Sequence, residues 1–511
     1  MTAKTLNQSF NDAFIRYAQK TAVCFLRNGN IETEFSYGQL NQHVSRAASA
    51  LITQGVKKGD RVILCFEKSL AFVIAHLACQ MIGSVSVPLS TGLKKAEMTY
   101  FLNDIQAALA VVGPVQEAMI HNLDPSLATL TVDTAKRYSA SLFSRTTVEE
   151  VPAATVEPGD PALIIYTSGT TGTPKGAVLT HGNLVHDAQN IINIWEITDT
   201  DIMCHALPLF HVHGLCFALH TALMAGAHVL MLDRFSPETL FQVLSNKHSE
   251  YRCSIFMAVP TIYRELLERL ESGYMLKDFD HIRLWTSGSA PLLKKDFARI
   301  KRLFGKEPVE REGMSETGMN FSNPLSGKRK PGSIGLPLPN LSVRCVNPFS
   351  LKDVAPGQVG EIWLKGPSIT PGYWQKPKET ACTFDHGWFR TGDMGKADEE
   401  GYFYITDRLK HIIISGGENI SPREIERVIN SVEGVAESVV VGIPDEKWGE
   451  KVVATVVKNR GASLTTQVVI NTCRKHLHNW KCPQNVLFVK EIPKNTMGKV
   501  LINEVRKSFI T

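Results

Sequence analysis

The sequence predicts an α/β protein: a large N-terminal α/β domain with layered sheets and a small β-rich subdomain, followed by a small C-terminal α+β domain. Three observations predict it. Runs of β-branched residues punctuated by Gly and Pro alternate with helical patterns through most of the first 400 residues, as α/β layering requires. Around 354–404 the texture changes to short alternating strands with frequent Gly, as in VGEIWLKG and GYFYITD. Beyond Asp407-Arg408-Leu409-Lys410 the chain starts afresh with IIISGGENI and a new helix. The expected domains are therefore 1–406 and 412–511, meeting at 407–411 with the boundary near Lys410.

The elements follow in order. RVILCF (Arg61 to Phe66) and VSVPL (Val85 to Leu89) read as strands around a helix near Ser69 to Met81. The apolar run from Ala71 to Leu89 contains His76, Gln80 and Pro88, so it reads as a buried helix running into a strand, and no transmembrane segment is expected. ALIIY (Ala162 to Tyr166) is a short buried strand ending in a loop of small residues. After the boundary, Ser421 is the N-cap, Pro422 the first helical residue and Glu424 the closing member of a capping box. Strands near Glu437–Val441, Lys451–Val457 and Val486–Lys490, with a helix near Thr465–Leu477, complete about 100 residues.

Composition excludes several classes. With 511 residues, 43% hydrophobic and 21% charged, the chain buries a core easily and is neither fibrous nor disordered. A net charge of +5 is too small a surplus to imply a nucleic-acid partner. Its distribution is uneven. Residues 458–511 hold ten Lys and Arg against two Asp and Glu, and residues 294–306 hold six cations against one Asp, so both stretches suit an anionic partner. Ten Cys lie without a Cys-x-x-Cys pair, and the N-terminus lacks the apolar run of a secretory signal, so reduced thiols and a cytoplasmic location are expected.

The segment TSGTTGTPKG (Thr167 to Gly176) supplies five hydroxyls, three glycines and one lysine directly after a buried strand. Glycines let backbone N–H groups approach an oligophosphate, and the hydroxyls and ammonium offset its charge, so Thr167, Ser168, Gly169, Thr170, Thr171 and Lys175 are candidate nucleotide ligands. The plain alternative is a flexible polar linker. A Walker loop does not fit, because that motif needs Gly-Lys-Ser/Thr opening a helix, whereas Lys175 precedes Gly176 and the strand-like Ala177-Val178-Leu179.

At these residues the chain resembles the adenylate-forming (AMP-binding) superfamily of acyl-CoA synthetases, and the resemblance continues through most of the length. LPLFHVHG (Leu207 to Gly214) resembles the acyl-site segment and SGSAPL (Ser287 to Leu292) the adenine-side turn. GMSETG (Gly313 to Gly318) resembles the segment with the magnesium-binding glutamate, WFRTGD (Trp388 to Asp393) the ribose-binding strand end, DRLK (Asp407 to Lys410) the hinge, and PKNTMGKV (Pro493 to Val500) the catalytic-lysine loop. The resemblance implies an acid:CoA ligase that uses ATP, Mg²⁺ and coenzyme A, with Lys499, Glu316 and His211 catalytic and Glu316 holding the metal. It further implies nucleotide contacts at Gly288, Ser289, Ala290, Glu312, Ser315, Asp393 and Arg408, acyl contacts at Arg311, His211 and Ser287, and CoA contacts at Gly416, Gly417 and Glu418. The C-terminal domain would be mobile and pivot at Lys410, and the two basic stretches would face the CoA phosphates.

The residue chemistry agrees with these roles. Asp393, after a Gly at a strand end, can accept from both ribose hydroxyls. Glu316 offers a hard oxygen to Mg²⁺, and Lys499 a point charge to the reacting carboxylate and phosphate. A metal alternative exists for Cys204, His205, His211 and His213, because His-x-His on a strand puts both rings on one face.

The acid is less constrained. REGMSETGMNFSNPLSGKRKPGSIGLPLP is closest in text to malonyl-CoA synthetases, where an Arg at the place of Arg311 pairs with the second carboxylate. Arg311 can otherwise bridge Glu310 or Glu312. Two departures stand out. Glu312 occupies the place of an aromatic that stacks on adenine, and Glu265 occupies the place of a second malonate-site Arg, with Arg264 one helical step, about 100°, away. A short or medium-chain monocarboxylic acid is the rival substrate; an NTPase releasing inorganic phosphate and a catalytically degraded nucleotide-binding protein are remoter readings.

Overall fold

The computed structural model describes residues 4–138, 151–167, 173–245, 251–273, 279–415, 418–494 and 500–509, the side chains of Lys410, Glu418 and Asn419 excepted. Two compact units are present, one formed by Met1–Ser342 and Lys365–Phe389, the other by Val343–Leu364 and Arg390–Thr511. The β-rich strands thus group with the C-terminal residues, and the expected hinge at 407–411 lies inside the second unit rather than between the two.

The first unit contains two large mixed sheets. A nine-stranded sheet runs in the order Leu336–Pro337, Gly318–Ser322, Val309–Met314, Leu284–Ser287, Ile255–Ala258, Ile202–His205, His228–Leu232, Thr21–Arg27, Asn30–Ser36. Its six central strands are parallel and its outer pairings antiparallel. A seven-stranded sheet runs Gly372–Tyr373, Lys175–Thr180, Pro161–Thr167, Val85–Pro88, Arg61–Cys65, Leu109–Val112, Thr129–Thr131. The parallel strands are near-continuous apolar runs because helices cover both faces. Arg61–Cys65 and Pro161–Thr167 realise the strands expected near those positions.

Leu70–Met81 is the expected helix, capped by the Ser69 hydroxyl, which accepts from the Phe72 N–H at 3.3 Å. Every residue from Leu70 to Gln80 is buried. A helix apolar on all sides belongs in a core, which accounts for the long apolar run. Among the described residues no helix is long and apolar enough to cross a membrane.

In the second unit, Gly449–Lys458 pairs with Val435–Asp445 on one side and runs parallel to Asn485–Val489 on the other. Period-two alternation splits the side chains of these strands. Val440, Val452, Ala454 and Val456 pack with Ile425, Ile429 and Val469 on one face, and Val439, Val441 and Val453 with Ile492 and Val505 on the other. The helix Pro422–Asn430 begins at Ser421 as expected, but the capping box forms on one side alone. Glu424 donates its N–H to the Ser421 hydroxyl at 3.4 Å, while its carboxylate takes the Lys481 ammonium at 2.7 Å. A full charge outcompetes a backbone N–H for that carboxylate.

Candidate active site

Parallel α/β sheets present ligand-binding loops at the carboxyl ends of their strands, and the predicted residues of the first unit lie there. Thr167 ends one strand, Ser287 another, His205 leads into the Leu207–Gly214 segment, and Val309–Met314 carries Arg311 and Glu312. Lys68, just past the strand Arg61–Cys65, donates to the His205 carbonyl at 2.8 Å and ties the two sheets together at this end.

Around the phosphate loop, Lys175 opens the strand Lys175–Thr180, as its sequence context requires. Ser168, Gly169, Thr170 and Thr171 lie outside the described residues. The loop's two ends are held. Tyr166 donates to Asp104 at 2.6 Å, Lys376 donates to the other oxygen of Asp104 at 2.6 Å, and Tyr100 donates to the Pro174 carbonyl at 2.6 Å. Glu316 is buried, and its Oε1 accepts from the Thr167 hydroxyl at 3.2 Å and the Tyr373 hydroxyl at 3.1 Å. The Lys175 ammonium lies 5.4 Å from the centre of the Tyr373 ring. One carboxylate and two hydroxyls beside an ammonium form a hard-oxygen set that suits both phosphate and a small divalent cation.

Arg311, the residue expected to meet the acid, is enclosed. It is 3% exposed, and its Nε, Nη1 and Nη2 are buried without a hydrogen-bond partner. Phe217 lies beneath it, 5.2 Å from ring centre to guanidinium carbon. Gly288 permits this placement, since a Cβ there would lie 2.5 Å from Arg311 Nε. The bridge to Glu310 or Glu312 is not made. Glu310 accepts from the Gly332 N–H at 2.7 Å, and burial pushes its carboxyl up to about 8. Glu312 accepts from the Asn320 amide at 3.0 Å and so joins the two strands of its hairpin. Burial lowers Arg311 to about 10, against the charges of Glu312 and Asp187. Asp187 is itself buried, accepts from the Met319 N–H at 2.8 Å, and is raised to about 7 by burial. An enclosed guanidinium with every donor free is prepared for an anion that supplies acceptors.

The histidines line the same end. His213 Nδ1 meets the Ser289 hydroxyl at 3.2 Å, and Ser289 holds a left-handed backbone conformation with φ 67° to bring it there. His205 Nε2 meets the Gly214 carbonyl at 2.8 Å. Phe210 and His211 lie ring to ring with centroids 4.3 Å apart, and burial lowers His211 to about 4. The metal alternative is not supported: among the described residues no three His, Cys, Asp or Glu side chains are grouped to hold an ion.

Glu265 is exposed on the helix Pro260–Glu271, while Arg264 approaches Asp296 at 4.0 Å. The basic stretch 294–306 is largely paired within the fold. Arg299 and Arg302 reach Glu271, Lys301 reaches Glu307, and Lys306 binds the carbonyls of Asp280 and Ile282.

In the second unit Asp393 is buried and ion-paired with Arg408, across adjacent antiparallel strands. Lys410 falls in the single turn Leu409–His411. Glu418 begins a short strand paired with Ile413–Ser415. Gly416, Gly417 and Lys499 lie outside the described residues.

Tyr373, Asp104, Lys376, Asp187, Phe217 and Asn320 belong to this constellation and were missed in the sequence. Gly372-Tyr373-Trp374 carried a weak signal as an aromatic pair after a Gly. The others are common residue types whose partners lie far away along the chain.

Comparison with known proteins gives the following. Residues 10–374 match the family described as AMP-binding enzyme, and residues 424–499 match the AMP-binding enzyme C-terminal domain. A mitochondrial malonate–CoA ligase of Mus musculus is 34% identical over 89% of this chain and 83% of its own. A long-chain-fatty-acid–CoA ligase of Bacillus subtilis is 32% identical over 98% of this chain and 93% of its own. The crystal structure of ATP-bound MatB from Rhodopseudomonas palustris superposes with a TM-score of 0.92 at 34% identity, covering 99% of each chain.

Proposed function

The chain belongs to the AMP-binding enzyme family as an ATP-dependent acid–thiol ligase, and from that premise we propose that it joins malonate, or a close relative with a second carboxylate, to coenzyme A. One observation carries the choice of acid: the buried guanidinium of Arg311 with all three nitrogens free of protein partners. A fatty-acid tunnel has no use for such a group, whereas a carboxylate at the far end of a small acid offers two acceptors to its fork. Relatives of nearly equal identity act on malonate and on long-chain fatty acids, so identity alone does not choose. The exposed Glu265 puts no second arginine at that place, which favours an acid short enough to be held by Arg311 alone and keeps a short or medium-chain monocarboxylic acid as the second reading.

In this reading the reaction proceeds through an acyl-adenylate. The acid's reacting carboxylate attacks the α-phosphorus of ATP, pyrophosphate leaves, and Lys499 offsets the charge that develops. Thr167, Lys175 and the loop between them hold the phosphates, and Asp393 with Arg408 holds the ribose. Mg²⁺, when bound at Glu316, would neutralise phosphate charge, and the carboxylate with its neighbouring hydroxyls fits a hard cation. The C-terminal domain then pivots at Lys410 and brings the Gly416-Gly417-Glu418 loop to the adenylate, where the CoA thiol attacks the acyl carbon and AMP leaves. His211 and Phe210 exclude water from the hydrolysable anhydride.

The test is a panel of acids from acetate to dodecanoate with malonate and methylmalonate, scored by pyrophosphate release. The proposal expects malonate or methylmalonate to give the highest kcat/KM. A preference for hexanoate or longer overturns it.

A further inference from the structure

The Asp407 carboxylate is buried at 2% exposure and makes three hydrogen bonds. Its Oδ1 accepts from the Arg408 N–H at 2.7 Å. Its Oδ2 accepts from the Ser421 hydroxyl at 2.5 Å and from the Arg423 N–H at 3.1 Å. Ser421 is the N-cap of the nine-residue helix Pro422–Asn430, and its hydroxyl also accepts from the Glu424 N–H at 3.4 Å. Asp407 therefore supplies a negative charge to the start of that helix, where free N–H groups and the helix dipole favour one.

The position of these partners is what matters. Asp407 belongs to the strand Phe403–Arg408, which pairs with Trp388–Ala397. Ser421 and Arg423 lie beyond the turn Leu409–His411. The two Oδ2 bonds thus span Lys410, and a change of φ or ψ at that residue carries the helix start away from the carboxylate. A buried carboxylate stripped of two donors must find water or another partner, so the bonds favour the arrangement in which they are made.

We propose that Asp407 is a latch across the hinge: it stabilises one of the two domain arrangements that the reaction requires and thereby sets the balance between the half-reactions. The idea rests on the reading of Lys410 as the pivot. Asp407 touches no reacting atom here and is a positioning residue.

Asp407→Ala removes the latch, and Ser421→Ala removes the hydroxyl bond to Asp407 together with the cap on the Glu424 N–H, leaving the Arg423 bond in place. Two readouts are compared with the acid that wild type prefers: pyrophosphate release without CoA, and thioester formation from supplied acyl-adenylate. The expected result is that one rate rises and the other falls, changing their ratio by about tenfold, as loss of a charge-assisted bond implies. Ser421→Ala should move the ratio in the same direction, and the double variant should move it no further than Asp407→Ala. Equal falls in both rates, or no change in either, overturn the latch. A readout independent of substrate separates this from failure of the functional reading. With exposed Cys382 replaced by Ser, spin labels at the exposed Glu399 and Glu433 report the distance across the hinge. Asp407→Ala should broaden or shift that distance distribution in the protein without ligands, and an unchanged distribution also overturns the latch.

Discussion

The Tyr373 hydroxyl donates to Oε1 of Glu316 at 3.1 Å, although 57 residues separate them in sequence. It shares that oxygen with the Thr167 hydroxyl at 3.2 Å, so the carboxylate is aimed by donors from two different strands. An aimed carboxylate costs less reorganisation when phosphate charge and a cation arrive. Tyr373→Phe should therefore lower kcat/KM for ATP by roughly tenfold, the worth of one hydrogen bond to a charged group. Initial rates of pyrophosphate release against ATP concentration measure it. An unchanged value would mean that Tyr373 merely packs.

Arg311→Leu separates the two candidate acids. Loss of a desolvated charge pair should cost malonate about 2–5 kcal/mol in kcat/KM, while acetate or hexanoate is unaffected or improved. The same substitution removes a buried cation whose nitrogens have no protein hydrogen-bond partner, so the substrate-free variant should melt no lower than wild type. Parallel losses for both acids together with a fall in melting temperature would make Arg311 a structural residue.

Lys499→Ala should abolish adenylate formation by roughly a factor of 10² or more, as for removal of one preorganised electrostatic donor. Thioester formation from supplied acyl-adenylate should survive, because this charge matters while pyrophosphate departs. Equal loss in both half-reactions contradicts the assignment.

Stability should fall as the pH drops from about 6.5 toward 4. Burial lowers His76 and His205 to about 3, and His181, His211 and His228 to about 4. The unfolded chain therefore takes up protons from about pH 6.5 downward while the fold does not, and stability is lost progressively toward pH 4. Burial raises Glu310 to about 8, and Asp187 and Glu426 to about 7. These carboxyls act with the opposite sign, since the fold holds their protons above the unfolded value near 4, and their own contribution falls as pH rises toward 8. Each group contributes on the order of 1 kcal/mol per pH unit within its window. Below 6.5 the five histidines outweigh the three acids. Urea midpoints measured from pH 5 to 8 check this, and midpoints that do not fall between pH 6.5 and 5 would refute it.

Much of the protein was legible in the sequence because its information is local. The Ser421 cap, the buried helix up to Met81, the strand near Glu437–Val441 and the strand Ala162–Tyr166 follow from neighbours within one or two turns. The motif text also identified the family, and the structure brings its residues Thr167 and Glu316 into a hydrogen bond, with Lys175 beside the Tyr373 that shares the carboxylate. The capping box is instructive in its partial failure. Ser421 and Glu424 are spaced for it, and the Ser421 half forms, yet Lys481, fifty-seven residues from Glu424, takes the carboxylate that would close it.

The tertiary structure decided the identity of partners. Whether Arg311 bridges its neighbours Glu310 and Glu312 could not be read from their adjacency, because successive residues of a strand point to opposite faces. Gly332 and Asn320 claim those carboxylates instead, and the closed packing of Phe217 and Gly288 leaves the guanidinium without a partner. Hydrogen bonds and desolvation depend on distances of a few ångströms between residues far apart along the chain. The sequence by itself determines the fold and the class of chemistry, and long-range packing alone determines which charge is left free to meet a substrate.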